Sequence, residues 1–96
     1  MRQCLKIVIS GKVQGVGYCK FIQKEATHLK VEGVVQNSDD GAVQILVCGF
    51  SSSLDDFIDC LYKGTKGSKI ENLSVEPLAQ IKDFRGVFRI IGVVEE

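Results

Sequence analysis

Between Gln3 and Ser10 the side chains alternate: Leu5, Ile7 and Ile9 fall on one face, Lys6 and Val8 on the other. A period of two is that of a strand with one buried face. At Tyr18 the period changes. Tyr18, Ile22, Ala26 and Leu29 recur at helical spacing, while Lys20, Gln23, Lys24 and Thr27 lie elsewhere around the cylinder. This helix should fade near Lys30, with Gly33 as the breaker. Residues 31–37, VEGVVQN, predict a second strand, and residues 42–48, AVQILVC, a third. Ser38, Asp39, Asp40 and Gly41 between them carry turn chemistry, so these two strands form a hairpin. Leu54, Phe57, Ile58 and Leu61 make a second apolar stripe, with Ser53 as the expected cap and Asp56 three residues on. Gly64 and Gly67 end that helix. Lys63, Lys66 and Lys69 surround its C-terminal end, where cations are favoured. Residues 70–75 read as a fourth strand. In the tail FRGVFRIIGVV, Phe88 and Ile90 form one face of a short last strand.

The order is βαββαβ with a short extra strand. Helical crossovers between strands predict a ferredoxin-like α+β sandwich: an antiparallel sheet with both helices on one face. A chain of 96 residues fits one domain, residues 1–96, and its 45% hydrophobic content is enough for a modest core. In this fold the first two strands run in the same direction. The end of the second strand, at Asn37, therefore reaches the sheet edge that also holds the turn after the first.

That turn lies in SGKVQGVGYCK, residues 10–20. Gly11, Gly15 and Gly17 leave the backbone uncovered. The N–H groups of Gly15, Val16, Gly17, Tyr18 and Cys19 can converge on one anion, with the positive end of the following helix behind them. Asn37 offers an amide donor and a carbonyl acceptor, a pair able to orient a water beside a bound phosphate. Taken singly, each feature also has a plain reading: a ligand-free glycine-rich turn, and a turn asparagine.

Charge narrows the partners. Twelve basic and twelve acidic residues balance, and no basic surplus exists for a nucleic-acid backbone. The aliphatic strands also lack the paired aromatics of an RNA-binding sheet. No apolar run approaches the roughly 18 residues of a membrane span, and the N-terminal stretch has no signal-peptide cleavage region, so a cytoplasmic monomer is the expectation. Cys4, Cys19, Cys48 and Cys60 form no CxxC and have no histidine at zinc spacing, which argues against a metal site. Without a secretory context they are expected as thiols, three of them small core hydrophobes. His28 should sit on a solvated face, and Asp55, Asp56 and Asp59 on the polar side of the second helix.

GKVQGVGYC at residues 11–19 and GVVQNSDDGAV at residues 33–43, with a C-terminal FRI, resemble the acylphosphatase family. The family pattern is G-x-V-Q-G-V-x-[FY]-R followed by G-x-x-x-N-x-x-D-G-x-V. The resemblance covers nearly the whole chain. It implies hydrolysis of the carboxyl–phosphate bond of small acyl phosphates, without metal or cofactor. It also implies that Gln14, Gly15, Val16, Gly17 and Tyr18 belong to the phosphate loop and that Asn37 orients the attacking water. Cys19 stands at the position of the family arginine. A thiol supplies neither the fixed charge nor the fork that a guanidinium offers to phosphate. Lys12 and Lys20 are neighbours, but each is a point charge. A cysteine-phosphatase arrangement does not fit, because Cys19 ends the loop and Glu25 stands where the partnering arginine would be needed. Weak or absent hydrolysis is therefore the expectation, the alternative being a non-catalytic anion- or protein-binding module on the same fold.

Overall fold

The alternation of Leu5, Ile7 and Ile9 is realised in β1 (Arg2–Lys12), the strand that pairs on both sides. In the computed structural model, which describes residues 2–15, 17–80 and 82–92, α1 (Tyr18–His28), β2 (Glu32–Asn37), β3 (Val43–Phe50), α2 (Ser51–Lys63), β4 (Lys69–Pro77) and β5 (Phe88–Ile91) follow. The sheet order is β4-β1-β3-β2-β5. β1 is antiparallel to β3 and β4, and β2 is antiparallel to β3. The extra strand β5 adds to β2 in parallel. This is the ferredoxin-like fold, with β1 and β2 pointing the same way.

One face of the sheet makes the core. Leu5, Ile7 and Ile9 of β1, Val35 of β2 and Val43, Ile45 and Val47 of β3 meet Tyr18, Ile22 and Ala26 of α1 and Leu54, Phe57 and Leu61 of α2. Phe57 and Phe88 pack tilted, ring centres 5.8 Å apart, fastening β5 to α2. The aromatic residues Phe57 and Phe88 are thus core side chains, while Phe84 is half-buried. His28, Asp55, Asp56 and Asp59 are exposed.

Three local expectations are corrected. The reversal after α1 is made by Lys30 in the left-handed region (φ 60°), not by Gly33. Gly33 lies within β2, where a Cβ would stand 1.9 Å from the Leu46 carbonyl oxygen, so close strand approach is what requires glycine there. Ser53 does not cap α2. β3 runs on to Phe50, which passes from extended geometry straight into a helix that begins at Ser51.

The cysteines differ most from expectation. Cys4 and Cys48 form a disulfide. They are direct partners across β1 and β3, with Cα atoms 4.0 Å apart, so the register brings the two sulfurs together. They also lie on the face of the sheet away from the helices, not in the helix-covered core. Cys19 and Cys60 retain their thiols.

Candidate active site

β1 ends in a bulge between Ser10 and Gly11. Gly11 (φ 128°) passes so close to β4 that a Cβ would lie 2.1 Å from the Lys69 carbonyl oxygen. The chain then turns through Val13, Gln14 and Gly15 toward Gly17, the N-cap of α1, which is left-handed (φ 74°, ψ 14°). Glycine tolerates that geometry without Cβ strain. α1 opens with no side-chain cap hydrogen bond and no acidic residue in its first turn. Its positive end is therefore not offset by a carboxylate of its own.

Gln14 ties this loop to the hairpin. Its Nε2 donates to the carbonyl oxygens of Ser38 and Ala42, both at 2.9 Å. The hairpin is itself braced: Asp40 Oδ1 accepts from Ser38 Oγ (2.8 Å) and from the Ala42 N–H (3.1 Å). The Ala42 N–H first, then the Ser38 hydroxyl, hold the Asp40 carboxyl below its ordinary range. The side chain of Gln14 thus serves as a strut whose two N–H groups fix the distance between loop and turn.

Between loop and hairpin lies an open cleft of about 510 Å³. Gln14, Gly15, Gln36, Asn37, Ser38, Asp39 and Gly92 line it. Among these described lining residues there is a carboxylate, Asp39, and neither lysine nor arginine. Asn37 ends β2 on the helix side, and Cys19 in the first turn of α1 donates its thiol to Asn37 Oδ1 at 3.3 Å. Cys19 is buried. It stands behind Asn37 and is not among the residues on the cleft wall.

The predicted site residues therefore separate. Gln14, Gly15 and Asn37 share the cleft, and Cys19 reaches it through Asn37. Gly17 supplies the turn into α1. Tyr18 points the other way: its ring is buried, and its hydroxyl donates to the Leu61 carbonyl oxygen of α2 at 2.8 Å. Burial, and next the neighbouring Cys19, push the Tyr18 phenol well above its ordinary range. Val16 lies outside the described residues. Sequence reasoning missed Gly92 as part of the wall. The tail motif indicated a strand, but only the parallel pairing of β5 with β2 carries its end to Asn37.

The acylphosphatase family model matches residues 5–90. The chain belongs to the acylphosphatase family. A protein named acylphosphatase from Bacillus licheniformis is 39% identical over 80 residues, which is 83% of this chain and 89% of that one. Another so named, from Rhizobium etli, is 36% identical over 90 residues, 94% of this chain and 95% of its own length. The crystal structure of acylphosphatase from Bacillus subtilis matches with a TM-score of 0.90 at 35% identity, covering 96% of this chain and 100% of that chain. The glycine loop and the Asn37 hairpin both fall inside the matched acylphosphatase region.

Proposed function

We propose that residues 1–96 act as one acylphosphatase-like domain that binds the phosphate of a small acyl phosphate between the glycine loop and Asn37. Hydrolysis is slow in the chain as it stands, because Cys19 occupies the place of the charged group. The observation that carries this is the strut from Gln14 to Ser38 and Ala42, which holds the loop and Asn37 on two sides of one cleft. Membership of the family supplies the reaction class.

In this scheme the loop amides and the positive end of α1 bind the phosphate oxygens. The Cys19 thiol engages one lone pair of Asn37 Oδ1. The other lone pair and the amide N–H groups remain to align a water. That water attacks phosphorus and the carboxylate departs, yielding inorganic phosphate and the free acid. A carboxylate is stable as an anion at neutral pH, so its departure needs no general acid. Neither a metal nor a cofactor enters this scheme. The deficit is electrostatic: no guanidinium meets the charge that develops on the transferring group.

The test is hydrolysis of benzoyl phosphate by the wild type beside Cys19→Arg. By analogy with arginine fingers, restoring the guanidinium raises kcat on the order of 1,000- to 100,000-fold. A wild type already turning over at ordinary rates, roughly 1–1,000 per second, would refute the role given to the missing arginine. The Asp39 carboxylate on the cleft wall favours a second reading, a binding module without turnover. It requires that phosphate titrate into the cleft while Cys19→Arg stays at background.

In either role the chain acts as a cytoplasmic monomer on a small molecule, with no nucleic-acid or membrane partner. Among the described residues no helix is long and apolar enough to cross a membrane.

A further inference from the structure

The end of the sheet remote from the glycine loop holds a second organised cluster. Arg2, Cys4, Glu32 and Cys48 share the face away from the helices, with Glu32 opposite Cys48 in the β2–β3 register and Cys48 opposite Cys4 in the β1–β3 register. An open sheet face should leave such residues wet. Yet Cys4 is 1% exposed, Cys48 0% and Glu32 8%. The segment from Lys82 to Val87, which leads into β5, crosses this end of the face and touches Cys4 through Lys82 and Glu32 through Phe84 and Gly86.

Glu32 is the clasp of that strap. Its Oε2 accepts the N–H groups of Phe84 (2.5 Å) and Gly86 (3.4 Å), and its Oε1 pairs with Arg2. Arg2 Nη2 in turn donates to the Lys82 carbonyl oxygen at 3.2 Å. The Lys82 N–H donates to Cys4 Sγ at 3.3 Å, so the strap rests on the disulfide itself. Beside the clasp the surface is open. A hollow of about 160 Å³ is lined by Gly33, Val34, Asp83, Phe84, Arg85 and Arg89. Arg85 at the strap's apex is held left-handed (φ 59°), a conformation unfavourable for a residue with a Cβ. Glu32 holds the middle of the segment, and the Gly33 N–H, donating to the Val87 carbonyl oxygen at 3.0 Å, holds its far end.

We propose that Cys4 and Cys48 form a redox centre gated by the 82–87 strap, and that Glu32 is the latch. Exchange with a dithiol requires one of its thiolates to reach a sulfur of the pair in line with the S–S bond. The closed strap blocks that approach. Once the strap lifts, the dithiol's thiolate attacks one sulfur and the other cysteine leaves as a thiolate. The second thiol of the reductant then breaks the mixed disulfide. Two electrons and two protons pass to Cys4 and Cys48, and the reductant leaves as its own disulfide. Reduction also favours the lifted strap. Breaking the bond frees rotation of both side chains, and the Cys4 sulfur on which the Lys82 N–H rests is no longer fixed in place. The coupling is reciprocal, so lifting the strap favours reduction by the same factor. In surroundings kept reducing by dithiols the chain rests with the strap open; under oxidising conditions it rests closed.

The experiment mixes oxidised protein with dithiothreitol, quenches with an alkylating reagent at intervals and assigns the modified cysteines by peptide mapping. Mapping keeps Cys4 and Cys48 apart from the thiols Cys19 and Cys60. Glu32→Gln, and independently Arg2→Gln, are compared with Ile58→Ala, which weakens the helix side and leaves the strap intact. At least tenfold faster reduction is expected in a latch variant, beyond what Ile58→Ala gives at equal urea stability. Amide exchange at Phe84 and Gly86 should speed up in the reduced wild type. Equal acceleration in all three variants would mean that global unfolding admits the reductant and would overturn the gate. So would rates unchanged from wild type in both latch variants, or alkylation of Cys4 and Cys48 in air-oxidised native protein without reductant.

Discussion

Tyr18 belongs to the glycine-loop motif by sequence, yet its side chain works as a bolt between the two helices, and removing its hydroxyl tests that arrangement directly. The hydroxyl donates to the Leu61 carbonyl oxygen at 2.8 Å, and Tyr18 is 1% exposed. Leu61 lies in the last turn of α2, where carbonyls have no donor from a following turn. The N–H of Thr65, four residues on, goes instead to Ser68 Oγ at 2.7 Å. Tyr18→Phe keeps the ring, which packs against Phe21 at 6.1 Å between centres, and leaves a buried acceptor without its partner. Such a loss costs about 1–3 kcal/mol. At about 2 kcal/mol the melting temperature falls by roughly 8–16 °C for a chain of this size. Urea titration followed by circular dichroism measures the change in midpoint.

The pH dependence gives an independent check. Burial raises the Tyr18 phenol above its ordinary value of 10.0. The folded pKa exceeds the unfolded one. The corresponding stability is complete below pH 10.0 and declines as pH rises toward the folded value. The wild type should therefore lose about 1.36 kcal/mol per pH unit more than Tyr18→Phe once the unfolded phenol ionises. A Tyr18→Phe variant within about 0.5 kcal/mol of wild type, with the same alkaline slope, would refute the bolt.

Three further substitutions probe the hairpin turn beside the cleft and the close approach of β2 to β3. Gly33→Ala should lose at least about 2 kcal/mol by urea titration, because the new Cβ meets backbone at 1.9 Å, whereas Gly41→Ala, with nothing within 4 Å, should lose about 1 kcal/mol from its φ of 91° alone. Asp40 is held below 3.8 by the Ala42 N–H and the Ser38 hydroxyl, so its contribution to the hairpin is present above pH 3.8 and lost as pH falls through the lower folded value. The Ala42 amide resonance should report that acid transition, and Asp40→Asn should abolish it.

Much of this protein is legible from residue order. Period-two and helical runs are local properties, set by which side chains must leave water, so the strands, the helices and the βαββαβ order follow from them. The glycine loop and the Asn37 hairpin are also contiguous, and matching them names the family before any coordinates. Element ends were less legible: β3 continues to Phe50 because β1 offers Arg2 as a partner there, a fact absent from the hairpin itself.

Only the tertiary structure decides which residues meet. Cys4 and Cys48 are 44 positions apart, and their disulfide exists because the β1–β3 register sets them face to face. The contacts of Lys82 with Cys4 and of Phe84 with Glu32 come from a segment that has no periodicity to announce it. Cys19 follows the same rule. The sequence marks it only as a departure from the family pattern, and the fold sets its thiol against Asn37 Oδ1. Local patterns determine the elements because solvation acts on each residue where it stands. Contacts between distant residues are set by register and packing, which come into being only when the sheet assembles.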